Sequence, residues 1–246
     1  MIVALDMLVT EGAGRDSLRN RQLAGMLAAI AGGLNAAAFH AVGFFAANMT
    51  GNVSLLSDHL AIADLGLAGF FLLIVLSFVT GSALSTLLIN DGRRRGNAAI
   101  YAHSILLEAI ILAAVGIVEL LRGGPPSVDL TVISLSFLMG LQNAVVTRIS
   151  QARVRTTHVS GMLTDIGIGL GMLIDIARGT ETSENAVEIR ARLRLHIETV
   201  AAFSLGGVSG VVLYQLIGTG SLVVAAALLL AIGWRAVLQT RPSTAA

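Results

Sequence analysis

Asn48-Met49-Thr50-Gly51-Asn52 is the stretch that decides how this chain is read. Two amides, a hydroxyl and a helix-weakening glycine follow directly on a long apolar run that begins near Gln22. A run of that length is a membrane span, and polar groups at the end of a span need a reason. A similar stretch recurs far downstream as Thr156-Thr157-His158-Val159-Ser160-Gly161.

The rest of the composition supports a membrane setting. The 246 residues are 55% hydrophobic and only 13% charged, and the mean hydropathy is +0.82. A soluble domain carries roughly a quarter charged residues. The chain has no cysteine, which excludes disulfides, thiolate metal sites and cysteine nucleophiles. It has no lysine either, since all 16 basic residues are arginine, so lysine Schiff-base chemistry is excluded as well. A net charge of +1, with the arginines scattered among membrane-flanking segments, gives no reason to expect nucleic acid. Residues 1–21 lack the basic start and unbroken apolar core of a signal peptide and read as a short cytoplasmic arm.

Six apolar runs are long enough to span, near 22–47, 66–89, 98–121, 129–149, 197–217 and 219–238. The expected architecture is an all-α membrane protein with one membrane domain over 22–240 and a cytoplasmic tail over 241–246. Orientation follows from arginine, which stays in the cytoplasm. With the N-terminus inside, 15 of the 16 arginines lie inside and Arg122 alone lies outside. That split supports six spans with N-in and C-in orientation in a bacterial inner membrane. A seventh span over 161–177 would send the charged 178–195 segment outside, and the sequence reading rejects it. The leftover segments 52–64 and 161–177 read as short helices, the second re-entrant, the first either re-entrant or interfacial.

The two halves echo each other. Gly33-Leu34-Asn35-Ala36 resembles Gly140-Leu141-Gln142-Asn143-Ala144, Thr50-Gly51 resembles Ser160-Gly161, and Phe78 to Gly81 resembles Phe203 to Gly206. Two three-span repeats, 22–121 and 129–240, therefore run in opposite orientation, with the charged 178–195 insert in the second alone. Inverted repeats with interrupted helices are a transporter architecture, with the site near the midplane. Small-residue pairs such as Gly206-x-x-x-Gly210 and Gly81-x-x-x-Ser85 are read as helix packing only.

Amides and hydroxyls inside spans should face the protein interior. The candidate solute-binding residues are Asn35, Asn48, Thr50, Asn52, Gln142, Asn143, Thr157, His158 and Ser160. Interhelical hydrogen bonding is the competing role, notably for Asn35 and Asn143. Glu108, in mid-span, and Asp165 are candidates for proton coupling, with His103 a candidate partner of Glu108. Glu119 reads as a solvated residue at the membrane edge, and Trp234 as an interfacial anchor. No His-Glu-x-x-His, Gly-x-Ser-x-Gly or phosphate-loop pattern occurs. A triad drawn from His158, Ser160 and Asp165 is one that any chain this rich in polar groups would offer. No enzyme activity, metal or cofactor is expected.

Gly33-Leu34-Asn35-Ala36 followed by Ala47 to Asn52, and Gly140 to Ala144 followed by Val154 to Gly161, resemble the bacterial YoaK-like family, also known as domain-of-unknown-function family 1275. The likeness spans roughly 22–240. It implies a six-span inner-membrane protein, sometimes labelled a small-molecule transporter. The chain departs from the family pattern at Asn35, where aspartate is frequent, and at Ser160, where threonine is usual.

The expected function is secondary transport of a small solute bound between the repeats. The alternative is a membrane scaffold that docks a partner through the 178–195 segment. A solute and the bilayer are the expected partners, with homo-oligomerisation left open.

Overall fold

The structure is a computed structural model and describes Leu8, residues 17–180 and residues 186–240. The expected tail at 241–246, most of the 1–21 arm and residues 181–185 of the charged insert lie outside the described residues. Among the described residues eight α-helices follow in order: α1 Ser17–Val42, α2 Met49–Ala61, α3 Leu65–Arg94, α4 Ile100–Arg122, α5 Val128–Ile149, α6 Val159–Ala177, α7 Ala186–Ile217 and α8 Gly220–Thr240. All but α2 are long and apolar enough to cross a membrane. The chain is a multi-pass helical membrane protein.

Three features differ from the sequence reading. First, α6 is not short: its 19 residues make a seventh helix of spanning length. By sequence the segment 161–177 reads as too short or too polar to cross alone. The helix instead begins at Val159, and Gly169 lies close under Leu193 and Ile189 of α7, where it serves helix packing. Second, the charged insert is not a loop from Ala186 onward but the start of the 32-residue α7. The pairs Arg192–Glu188 at 2.6 Å and Arg194–Glu198 at 2.8 Å join neighbouring turns of that helix. Third, α1 ends at Val42 rather than near 47, because Gly43 turns the chain at a φ of 81°.

The helices pack chiefly as α1 with α7, α3 with α5 and α4 with α8. The first two crossings are close enough to bring backbone against backbone. A Cβ on Gly32 would lie 2.0 Å from the Phe203 carbonyl oxygen, and one on Gly206 would lie 2.0 Å from that of Ala29. In the α3–α5 crossing a Cβ on Gly140 would lie 2.0 Å from the Phe78 carbonyl oxygen, and one on Gly81 would lie 2.0 Å from that of Phe137. Gly32, not Gly33, therefore makes the contact that matches Gly140. In this register Asn35 matches Asn143, each three residues beyond its crossing glycine.

Both close pairs run parallel. Along α1 and α7, Arg21 meets Glu198, Gly32 meets Phe203 and His40 meets Tyr214. Along α3 and α5, Gly140 meets Phe78 and Arg148 donates to Asn90 at 2.6 Å. Helices α4 and α8 run antiparallel, with Gly116 under Leu222 and Gly233 under Leu106. The main core draws Leu27, Ile105, Leu138 and Leu229, all fully buried, from α1, α4, α5 and α8.

Candidate functional site

After Val42 the chain turns back into the bundle. The Ala47 N–H donates to Asn35 Oδ1 at 2.8 Å. That bond returns the chain by seven positions of α1, roughly 10 Å at 1.5 Å per residue. Ser136, near the middle of α5, donates to the Ala46 carbonyl at 2.7 Å. Phe45 stacks on Phe39 with ring centroids 4.1 Å apart, and Asn52 Nδ2 donates to the Phe45 carbonyl at 3.0 Å. So braced, the loop starts α2 at mid-bundle depth. Asn48 caps that helix, its Oδ1 accepting from the Gly51 N–H at 3.1 Å.

The second stretch does the same after α5. Gln151 and Ala152 adopt positive φ, 51° and 60°, and turn the chain. Thr157 then donates to Asn143 Oδ1 at 3.1 Å, which returns the chain by six positions, roughly 9 Å. Asn143 holds its own place by donating to the Met139 carbonyl at 2.8 Å. Helix α6 starts there, and no side chain caps it. The His158 ring instead lies over Gly161, where an added Cβ would meet it.

The two returning loops border one cavity of about 700 Å³. Asn35, Asn48, Thr50, Asn143, Thr157, His158 and Ser160 all line it, so seven of the nine candidate solute-binding residues come together. Phe45, Phe78 and Phe203 supply apolar wall, and Arg155 supplies a cation. Asn52 and Gln142 do not line it. Asn52 is spent on bracing the loop, and Gln142 is fully buried behind it.

A family model described as "Protein of unknown function (DUF1275)" matches residues 23–234. The chain belongs to the DUF1275 family. No curated protein and no solved structure matches it.

In this DUF1275 chain the ionisable candidates lie apart from the cavity. Glu108 is fully buried on α4, and its Oε1 accepts from Gln142 Nε2 at 2.9 Å. Its Oε2 has no partner among the described residues. Gln142 Oε1 accepts from Thr156 at 3.4 Å, so a polar chain links Glu108 to the loop that borders the cavity. His103 is not its partner and lies instead 3.1 Å from Asn97. Asp165 lies on the outer face of α6, 3.8 Å from His196, and lines other clefts. Glu119 is 2% exposed rather than solvated. It accepts from the Ser127 N–H at 3.2 Å and pairs with Arg122, which fastens the α4–α5 turn.

Arg155, Phe78 and Phe203 line the DUF1275 cavity without having been singled out as binding residues. Phe78 and Phe203 stood in the repeat itself, each three residues before its crossing glycine, Gly81 or Gly206, and that was the available signal. Arg155 read only as one more cytoplasmic charge.

Proposed function

We propose that this protein is a secondary transporter whose small solute binds in the cavity between the Asn48–Asn52 and Thr156–Gly161 stretches. One observation carries the reading: two stretches 110 residues apart, Gly51 to Gly161, return to mid-bundle depth and border the same polar cavity. Irregular backbone at that depth is tolerable where protein or a water-filled cavity satisfies it.

The reading includes two inverted three-span halves. The reciprocal glycine crossings support it, because the first helix of each half packs on the third helix of the other. It includes six full spans. Helix α6 starts level with Asn143 and runs beside the charged part of α7, with Asp165 opposite His196 and Gly169 opposite Leu193, so it leaves the bundle rather than crossing it. It includes N-in and C-in orientation, supported by the 15-to-1 arginine split.

The test is solute counterflow in proteoliposomes, read by mass spectrometry over a mixture of small metabolites. The expected result is protein-dependent exchange of one chemical class that Ser160→Trp, which fills the cavity, removes. Exchange of nothing, or exchange indifferent to Ser160→Trp, overturns the proposal.

A second reading, a scaffold, is favoured by the α6 surface. Leu163 and Ile168 there are 53% and 57% exposed. On that reading, Leu163→Ser with Ile168→Ser abolishes partner capture and leaves counterflow intact.

A further inference from the structure

We infer that the cavity selects small organic anions over neutral solutes and cations. This rests on the proposed solute site and adds its chemical class.

The hydrogen-bonding inventory of the cavity wall is one-sided. The amide oxygens are occupied: Asn35 Oδ1 by the Ala47 N–H, Asn48 Oδ1 by the Gly51 N–H, and Asn143 Oδ1 by the Thr156 and Thr157 hydroxyls. Because each amide oxygen is committed, the amide orientations are set by the network. The amide groups left open are donors, beside the Thr50 and Ser160 hydroxyls, which can serve either way. The NH₂ of Asn35 has no hydrogen-bond partner among the described residues, although the residue is only 8% exposed. With its oxygen turned to the loop, the NH₂ is the half of Asn35 left for the cavity it lines. The NH₂ of Asn48 is likewise unpaired among the described residues.

The electrostatics point the same way. Arg155 lines the cavity with no ion pair or hydrogen bond among the described residues, and no carboxylate is among the lining residues. The N-termini of α2 and α6 both border the cavity, and each presents the positive end of a helix dipole. The first turn of α6 is uncapped, so its leading N–H groups stay open. The unpaired NH₂ of the buried Asn35 is costly, and a bound anion satisfies it while also pairing with the guanidinium of Arg155, which is itself exposed.

Size and wall narrow the class further. About 700 Å³ falls within the range of small-molecule sites and exceeds what a bare halide fills. Phe45, Met49, Phe78 and Phe203 give it an apolar side. The fitting solute is an organic acid, a carboxylate or phosphate group on a small apolar body.

The chain has no cysteine, so a single Thr50→Cys variant reports on the cavity without background. The probes are two methanethiosulfonates of similar size, the anionic sulfonatoethyl and the cationic trimethylammonioethyl reagents. Rates on purified protein are normalised to those on free mercaptoethanol. The expected result is at least roughly tenfold preference for the anionic reagent, falling several-fold in Arg155→Gln and in Asn35→Asp. Asn35→Asp keeps the acceptor for Ala47 and the side-chain shape, so it remains informative if Arg155→Gln does not fold. Modification without charge preference, with preference for the cation, or with a preference that neither variant lowers overturns the anion inference and leaves the solute site standing. Modification by neither reagent overturns both, since the cavity is then closed to water-borne solutes.

Discussion

The two returning loops have the same plan and different chemistry. Loop 43–48 is held by backbone: Ala47 offers its N–H to Asn35, and Ala46 offers its carbonyl to Ser136. Loop 150–158 is held by side chains, Thr156 and Thr157 reaching Gln142 and Asn143. One helix start is capped by Asn48, and the other is left open beneath His158. Behind the first lies Leu34, and at the matching place behind the second lies Gln142, bonded to Glu108. The plan is set by the glycine crossings, while the chemistry differs at the positions free of that constraint. The first half therefore carries the open amide donors, Asn35 and Asn48, while the second carries Arg155, an uncapped helix start and the link to a buried carboxyl.

The largest effect is expected at the crossings themselves. Gly32→Ala and Gly140→Ala each drive a methyl into a carbonyl oxygen of the partner helix, not a movable side chain. Each should cost about 3 kcal/mol, the upper end for overpacking, read as lost folded yield and a lower unfolding temperature in detergent. Equal losses mean the crossings are equivalent, and a tolerant Gly32 would break the parallel.

Next comes the asymmetry behind the loops. Gln142→Leu removes the hydrogen-bond donor to Glu108 and should destabilise by about 2 kcal/mol, whereas Leu34→Met at the matching place should cost less than about 1.5 kcal/mol as a volume-conserving change. The Glu108→Leu, Gln142→Leu double variant should recover part of the loss, and strict additivity in thermal unfolding would show that the pair is not coupled.

Asn48→Ala should cost about 1 kcal/mol through loss of the cap, while His158→Ala, with no cap bond to lose, should cost a few tenths. His158→Asn should gain stability by capping Gly161. If chemical denaturation shows the two alanine variants equal, the capping difference is not energetic.

The smallest effect concerns Arg21, whose Nε and Nη2 both meet Glu198, the latter at 2.6 Å. Arg21→Lys loses the paired geometry and should lower stability by about 0.5 kcal/mol at this partly exposed site. Thermal unfolding at high salt should erase the difference.

The helical membrane class was legible because apolar length is sufficient evidence for it. The meeting of the two loops is expected only if a solute binds between the halves. The sequence by itself leaves it open, because amides and hydroxyls at the ends of apolar runs can also satisfy one another within a half. Other features were hidden by competing signals. Charges at Glu188, Arg190, Arg192 and Arg194 read as a loop, although neighbouring-turn ion pairs make that composition helical. The segment 161–177 read as too short or too polar to span, although α6 runs 19 residues from Val159 to Ala177. Gly32 and Gly33 stand side by side, and sequence likeness selected the wrong one because the contact depends on helix rotation. Arg155 was invisible as a lining residue because neither its place at the cavity nor its lack of a carboxylate partner among the described residues can be read from the sequence.

The length of α7 has a mechanical consequence. Its 32 residues extend roughly 48 Å at 1.5 Å per residue, well beyond a hydrocarbon core of about 30 Å. The same rod bears Phe203 in the cavity wall and, some 11 residues earlier, Arg192 on the charged arm that carries α6. Its tightest hold lies beside Phe203, at Gly206 against Ala29. A rod gripped there is a lever with its fulcrum at the cavity, so a sideways push on the charged arm turns the wall against which a solute would rest.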